Sequence, residues 1–295
     1  MKPLETGPAE IVARNLEHPP SGPVRLVGEG IDHVVYSVGE QLLVRQGKPH
    51  RARARDQTMR EAVLLTLMRK ISPLPVPRLA FVDTVRDSLG YHRLPGVPAL
   101  EIPAPDREGW AVSLGHALGT LLNALHTTDP DTVSAVVDTD STPIDAWLDE
   151  ARRNYRAVCA VVPPGRQDAA EAFLSTAPPA PAPRLVFSHN DLGIEHVLVN
   201  PRDGGIVGII DWTDAAITDP AADFGRLLRD LGPNALDRAL ASYSGASHDP
   251  VLMDRIWFFA RCTALEDLAY GLEHHRLTYV SNSLGSLGHL FPITL

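Results

Sequence analysis

The sequence is poor in cysteine and has no long apolar run. Its two cysteines, Cys159 and Cys262, lack C-x-x-C spacing and cannot form a four-ligand zinc site, and we interpret them as buried thiols of a reducing compartment rather than as a disulfide. No segment approaches the roughly 18 consecutive apolar residues of a membrane span. The N-terminus carries Glu5, Glu10 and Glu17 without an apolar core, so we expect no signal peptide and predict a cytoplasmic protein without a membrane partner.

Positive charge is also scarce, because 27 lysine and arginine residues stand against 36 acidic ones, for a net charge of -9. Proteins that bind nucleic acid backbones carry a basic excess, so nucleic acid is not an expected partner. The basic run at 51–55 is interpreted as a solvated loop. The acidic balance leaves room for a cationic small molecule. A length of 295 residues, with 44% hydrophobic and 21% charged content, indicates a globular protein of one large domain or two lobes.

The first hundred residues predict a small lobe of strands with one inserted helix. Apolar segments between positions 24 and 44 have strand character, and Gly39 with Glu40 is typical of a hairpin turn. Apolar residues at spacings of three and four over 59–71 predict a helix, which prolines after position 72 end. Two further extended segments follow before residue 100.

The rest of the chain predicts a larger, mainly helical lobe. Pro95, Gly96 and Pro98 mark the division, which gives an N-terminal lobe, 1–94, and a C-terminal lobe, 95–295. The last fifteen residues are rich in serine and glycine, which favours poor order. Apolar periodicity predicts helices over 110–125, 144–158, 169–174, 227–243 and 253–272.

The residues that carry chemistry cluster between positions 187 and 224. Strand-like residues lead into His189-Asn190-Asp191, a second apolar run begins after His196, and a third delivers Asp211. Two β segments joined by a hairpin would bring Asp191, His196 and Asp211 to one end of a small sheet. This arrangement meets the needs of phosphoryl transfer, in which one carboxylate orients the attacking hydroxyl while a second joins another ligand in holding a metal against the phosphates.

The spacing H-x-D-x-x-x-x-N followed about twenty residues later by a metal-binding Asp is the kinase arrangement. With the segment Ile210-Asp211-Trp212, it resembles the aminoglycoside and macrolide phosphotransferase family. The resemblance implies an α+β, two-lobed, protein-kinase-like fold with a small strand-rich N-lobe and a larger mainly helical C-lobe. It further implies that Asp191 is the catalytic base and that position 196 and Asp211 hold Mg²⁺. Asp219, Pro220 and Asp223 would brace the segment that follows Asp211, and ATP or GTP would be the co-substrate.

Position 196 departs from the family pattern because it is His rather than Asn. The macrolide-directed branch looks similar here, and an imidazole ligand widens the metal choice towards Mn²⁺. The alternative is that His196 is a strand-end histidine bonded to backbone.

The nucleotide site is expected in the N-terminal lobe. Gly28-Glu29-Gly30 with Val35 matches a glycine-rich loop that closes over phosphates, although such glycine pairs also occur in ordinary hairpins. Arg45 stands where kinases have Lys, with Glu61 as its ion-pair partner or, alternatively, as a solvated helix residue. The segment 91–94 is the expected hinge against the base. The predicted nucleotide-binding residues are Gly28, Gly30, His33, Arg45, Glu61, His92 and Leu94.

The acceptor is expected in a cleft of the helical lobe. The predicted acceptor-binding residues are Asp214, Trp257, Glu266, Asp267 and Tyr270. For the aromatic residues among them, the alternative is that they belong to the core. The sequence thus predicts a kinase that transfers the γ-phosphoryl of ATP or GTP to a hydroxyl of a cationic antibiotic of macrolide or aminoglycoside type. Two alternatives remain: a metabolic kinase of choline, homoserine or an amino sugar, and a catalytically weak kinase-like binding protein, which the residues at 45 and 196 motivate.

Overall fold

A computed structural model of the chain describes residues 7–30, 33–48, 54–245 and 249–293. The side chains of the basic run at 51–55 lie outside the described part of the structure. Residues 1–6 also lie outside it, and they include Glu5, on which the prediction of no signal peptide partly rests.

The N-terminal third builds one antiparallel sheet of five strands in the order β1-β2-β3-β5-β4. Gly39, at φ 61°, makes the predicted turn between the second and third strands, because glycine enters the left-handed region without a side-chain clash. Two helices accompany the sheet. The elements are α1 (Pro8–Asn15), β1 (Val24–Glu29), β2 (His33–Val38), β3 (Leu42–Gly47), α2 (Ala54–Ile71), β4 (Arg78–Asp83) and β5 (Ser88–His92).

Strand β3 shows why this sheet can serve a site. Side chains alternate between faces along a strand, so Leu42 and Val44 pack with Ile11 of α1 in a small apolar core. The intervening residue Leu43 and the following Arg45 line the cleft on the other side of the sheet.

The C-terminal two thirds are helical around two small three-stranded sheets, in the orders β10-β9-β6 and β7-β11-β8. Helix α6 is bent at Gly232, whose φ is 78° and which precedes Pro233. The strands are β6 (Val97–Pro98), β7 (Asp138–Thr139), β8 (Val186–Ser188), β9 (Val197–Val199), β10 (Ile206–Ile209) and β11 (Ala216–Thr218). The helices are α3 (Ala104–His126), α4 (Ile144–Val158), α5 (Pro164–Ser175), α6 (Ala221–Leu240), α7 (Leu252–Glu273) and α8 (Leu277–Leu290), with 3₁₀ turns at Ala99–Glu101 and Pro130–Thr132.

The main core lies between these helices. Helices α3 and α6 approach closely because Gly115 and Gly119 leave no side chain between them, and a Cβ at Gly119 would lie 2.4 Å from the carbonyl oxygen of Ala239. Leu64, Leu65 and Met68 of α2 also belong to this core. The larger hydrophobic core therefore extends across position 94.

The predicted helices and the α+β class are confirmed, but the prediction for the last fifteen residues is wrong. Helix α8 continues to Leu290, and Ser283 and Ser286 lie buried on its inner face. Small residues fit there because α8 packs tightly against the preceding helices. Among the helices of the described residues, none has the length and apolar content needed to cross a membrane.

Candidate active site

Two loops carry the predicted chemistry, one after β8 and one after β10. Asn190 and Asp211 both have positive φ angles, 66° and 59°. Asn and Asp tolerate the left-handed region better than other non-glycine residues, and such geometry is held only when its surroundings enforce it. The sharp turns redirect both loops, so that Asp191 and Asp211 approach His196, which directly precedes β9.

His196 lies between the two aspartates. Its Nδ1 is 3.4 Å from Asp191 Oδ2 and its Nε2 is 3.7 Å from Asp211 Oδ2. Asp211 also accepts a hydrogen bond from the Thr213 hydroxyl. The structure thus brings together the three side chains that the sequence spacing predicts to converge.

Buried groups of α6 fix the backbone of the first loop. The amide of His189 donates to Asp223 Oδ2 at 2.9 Å, and the amide of Ile194 donates to Asp230 Oδ2 at 3.2 Å. The His189 Nε2–H donates to the carbonyl of Ile210 at 3.0 Å, which ties the first loop to the second. Burial raises the pKa of Asp223 to about 6 and lowers the pKa of His189 to about 4, so His189 is neutral in the folded protein near neutral pH.

The ionisation of the three central groups depends on their mutual contacts. Burial by itself raises the pKa of Asp191, but Arg226, His196 and His189 together outweigh it, and the net pKa is lowered. Asp211 behaves in the same way, with burial opposed by His196 and a lowered net pKa. Burial lowers the pKa of His196, but Asp191 and Asp211 together raise it above its ordinary value. Both carboxylates are therefore ionised at neutral pH.

The donor set fits a divalent cation. A backbone carbonyl can only accept, so the 2.8 Å contact between His196 Nδ1 and the carbonyl of Asp191 requires a proton on Nδ1. This bond leaves Nε2 as the nitrogen available for a metal, on the side of Asp211, which is the arrangement typical of metal-ligating histidines. Ligand atoms of Asp191, Glu195 and His196 also lie within 4.8 Å of one another. The alternative of a strand-end histidine also fits these contacts, because Nδ1 is bonded to backbone and a protonated imidazole would pair with Asp211 through Nε2.

A cleft between the sheet and the helical part holds the predicted nucleotide-binding residues. Arg45 is 8% exposed, donates through Nη2 to Glu61, and has its Nη1 3.4 Å from His33 Nδ1, so the predicted ion pair is present. Gly28, His92 and Leu94 line a cavity of about 450 Å³, and Gly30 and His33 line an adjoining cavity of about 700 Å³. Trp212, 2% exposed, lines both.

The glycines leave room in this cleft. Among the described residues, a Cβ on Gly28 would meet no atom within 4 Å, and one on Gly30 would meet only the carbonyl of His33 at 3.9 Å. Neither residue has a positive φ. Open space rather than backbone strain therefore distinguishes these positions, as expected where phosphates approach a backbone closely. Residues 31 and 32 of this loop lie outside the described residues.

The predicted acceptor residues do not all meet. Asp214 lines the larger cavity beside Asp211, and loss of hydration followed by the charges of Asp191 and Asp211 raises its pKa. Glu266 lies at the surface of α7, and loss of hydration raises the pKa of its carboxyl despite the opposing charge of Arg226. Tyr270 contacts Tyr279 edge to face, with ring centroids 5.2 Å apart.

The structure places two of the predicted acceptor residues in other surroundings. Trp257 lies beside a different cavity, of about 570 Å³, where the guanidinium of Arg261 is 5.5 Å from its ring centroid. Asp267 is bound to Arg229 at 2.8 Å, so a protein cation already neutralises it. Helical periodicity placed both residues on one helix but did not distinguish the sides of that helix.

Sequence reasoning missed Arg226, whose Nε donates to Asp191 Oδ1 at 3.2 Å. It also missed Glu195 and Asp230. A signal was available, because Asp223, Arg226 and Arg229 interrupt an otherwise apolar helical segment that begins at Ala221. Charged residues in a buried helix usually have a partner.

Comparison with known proteins gives a consistent result. The profile of the phosphotransferase enzyme family matches residues 23–257. Viomycin phosphotransferase of Streptomyces vinaceus is 29% identical over 152 residues, which are 50% of this chain and 52% of the relative. The match therefore spans about half the length of that curated relative.

Solved structures resemble nearly the whole chain. The GDP and kanamycin complex of APH(2")-IIia gives a TM-score of 0.65, covering 92% of this chain and 93% of that one at 21% identity. Macrolide 2'-phosphotransferase type I gives a TM-score of 0.62, covering 95% of each chain at 23% identity. At these identities the likeness shows the fold, and it confirms the predicted two-lobed, kinase-like α+β architecture.

Proposed function

Because this chain belongs to the phosphotransferase enzyme family, we propose that it transfers the γ-phosphoryl group of ATP or GTP to a hydroxyl of an amine-bearing antibiotic. The observation that carries the proposal is the convergence of Asp191 and Asp211 on His196 at the mouth of the cleft. The proposal includes the division at position 94. In it, the sheet of residues 1–94 covers the nucleotide, and residues 95–295 supply the catalytic groups. The reaction belongs to the cytoplasm, where both nucleotides are abundant.

The N-terminal lobe binds and orients the nucleotide. The base enters the cavity beside His92 and Leu94, and the phosphates extend under Gly28 and Gly30 towards Arg45. The guanidinium of Arg45 neutralises phosphate charge in a position fixed by Glu61. A divalent cation, Mg²⁺ or Mn²⁺, held by His196 and Asp211, supplies further charge neutralisation at the phosphates when bound.

Asp191 acts on the acceptor. Its carboxylate is 31% exposed and ionised, so one edge stays open to accept the proton of the attacking hydroxyl. Since no residue needs to form a covalent bond, the rate enhancement comes from alignment and charge stabilisation.

The acceptor is a cationic molecule. Asp214 and Glu266 are exposed carboxylates near Asp191, and no ion pair of either is found among the described residues. An amine-bearing ligand would satisfy both, and the overall charge of -9 would attract it. The names of the relatives, which act on viomycin or bind kanamycin, support the same class.

A panel assay tests the proposal. Purified protein with ATP or GTP and Mg²⁺ or Mn²⁺ is offered aminoglycosides, macrolides, viomycin, choline, homoserine and amino sugars, and phosphorylated products are identified by mass spectrometry. We expect transfer to an amine-bearing antibiotic. Asp191→Asn should lower kcat by at least about 1,000-fold and leave nucleotide affinity within about twofold, because Asp191 contacts the acceptor and not the phosphates.

The alternatives are outcomes of the same panel. Transfer confined to choline, homoserine or an amino sugar would identify a metabolic kinase. Binding of an antibiotic without turnover would identify a kinase-like binding protein, although the intact pair between Arg45 and Glu61 argues for turnover. An Asp191→Asn protein that retains full activity would refute the role of the carboxylate.

A further inference from the structure

Arg226 is a buried cation whose environment is incompletely satisfied. It lies on α6, 8% exposed, and its one ion pair among the described residues joins Nε to Asp191 Oδ1 at 3.2 Å. Its Nη1 is buried and has no hydrogen-bond partner among those residues. A buried guanidinium nitrogen without a partner costs stability, because its hydration is lost and not replaced.

Two other buried arginines of this lobe differ from Arg226. Arg229, one turn further along α6, contacts Asp230 through two nitrogens and Asp267 through a third, each at 2.8 Å. Arg255 of α7 is likewise held by two carboxylates. Arg229 and Arg255 thus have at least two carboxylate partners each, and the buried Arg107 of α3 bonds to the carbonyl of Ile102 and to Asn282, whereas Arg226 has one partner among the described residues. Stability does not explain its presence beside Asp191.

The contacts of Asp191 indicate what Arg226 does. The carboxylate of an aspartate turns readily about χ2, which has broad preferences. Here Arg226 Nε holds Oδ1, and Oδ2 faces His196 Nδ1 at 3.4 Å. A different partner on each oxygen fixes the plane of the carboxylate, and the hydrogen bond from His196 to the carbonyl of residue 191 fixes the backbone behind it.

We propose that Arg226 is a positioning residue that holds Asp191 in the orientation from which it accepts the proton of the acceptor. This inference rests on the proposed function. In the step concerned, the acceptor hydroxyl transfers its proton to Asp191 and its oxygen bonds to the γ-phosphorus. The bond from that phosphorus to the bridging oxygen breaks, and its electron pair leaves with the nucleoside diphosphate. Loss of alignment by about an ångström can cost about 100-fold in rate.

The test compares Arg226→Gln with Arg261→Gln. Arg261 is a matched control, because it is a half-buried arginine on α7 whose Nε donates to the carbonyl of Leu290, away from the cleft. We expect Arg226→Gln to lower kcat by about 10- to 100-fold while the KM and Kd of the nucleotide stay within about twofold and the thermal midpoint stays within a few degrees. Arg261→Gln should leave kcat unchanged.

A double-mutant cycle with Asp191→Asn separates positioning from a general structural effect. If Arg226 acts through Asp191, Arg226→Gln should change the residual rate of Asp191→Asn by less than about twofold. The inference is overturned if Arg226→Gln keeps kcat within threefold of wild type, if its losses in kcat and nucleotide affinity are parallel, or if the two substitutions are additive. Wild-type transfer that depends on Asp191 would leave the proposed function intact in each of these cases, whereas absence of wild-type transfer would remove both.

Discussion

At the scale of single residues, His196 is the less expected of the two proposed metal ligands. Its imidazole replaces an amide oxygen at a position where the phosphates of a nucleotide require a hard cation. Mg²⁺ prefers oxygen ligands, whereas Mn²⁺ accepts nitrogen more readily. The bond from Nδ1 to the carbonyl of Asp191 fixes the orientation of the imidazole, so that Nε2 stays on the side of Asp211.

We expect His196→Asn to shift metal preference towards Mg²⁺. The ratio of kcat/KM in Mg²⁺ to that in Mn²⁺ should rise several-fold, since an amide oxygen replaces the nitrogen ligand. Titration of both metals at saturating nucleotide measures the ratio. The control is His116→Asn, because His116 is an exposed histidine of α3 bonded to Ser242. An unchanged ratio in His196→Asn would mean that Nε2 does not ligate the metal.

The convergence of Asp191, His196 and Asp211 could be predicted because each residue ends or begins a short strand in a local segment. Arg226 could not be paired with Asp191 in the same way. The two residues are 35 positions apart, and their contact depends on how α6 packs beneath the loop. Sequence periodicity gives the buried face of a helix but not the atom that a buried charge meets there.

At the scale of elements, Arg60, the neighbour of Glu61, attaches helix α2 to the C-terminal part of the chain. Arg60 Nε donates to the carbonyl of Val136 at 3.2 Å, and its Nη2 donates to Asp138 at 2.7 Å. Asp138 lies in β7, which pairs with the strand that follows the loop of Asp211. Arg60 thereby relates the position of α2, and of the pair between Glu61 and Arg45, to the loop that carries Asp211.

We expect Arg60→Ala to raise the Kd of the nucleotide several-fold and to leave the KM of the acceptor unchanged. Without the bond to Val136, α2 can shift and carry Glu61 away from Arg45. Asp138→Ala should have a smaller effect, because that side chain is 85% exposed and exposed ion pairs contribute at most about 1 kcal/mol. Calorimetry with nucleotide measures both, with Arg69→Ala at the exposed end of α2 as control. Wild-type affinity in Arg60→Ala would contradict this role.

Elements with a clear apolar period were predictable, and those without one were not. Helix α4 has the bounds that its period predicts, 144–158. Helix α1 was missed because eight residues give too short a pattern. Helix α8 was missed because serine and glycine, which are weak helix formers in isolation, are favoured there by close packing that only the tertiary structure provides.

At the scale of the whole molecule, the two lobes are not independent folding units. Leu64, Leu65, Met68 and Val76 precede position 94 but are buried in the core of the C-terminal lobe. Prolines and glycines indicate where the chain turns between two lobes. They do not indicate which side chains of one lobe are buried in the core of the other. The sequence could therefore predict the order of the lobes, but not that α2 joins the larger core.

We expect residues 95–295 expressed alone to fail to form a native structure. The fragment loses four buried side chains from its core, each contributing about 2 to 5 kcal/mol, and their total exceeds the stability of many domains. Circular dichroism and the cooperativity of thermal unfolding measure the outcome, with the full chain as reference. Cooperative unfolding of the fragment at the midpoint of the full chain would contradict the shared core.

Trp212 gives the molecule an internal optical probe. Its indole lies against the ring of His189 at 4.6 Å, next to Asp211 and beside both cavities of the cleft. The other tryptophans, Trp110, Trp147 and Trp257, line neither cavity. Arrival of a ligand therefore alters the surroundings of one fluorophore out of four, so emission from the unlabelled protein can follow occupancy of the cleft in real time.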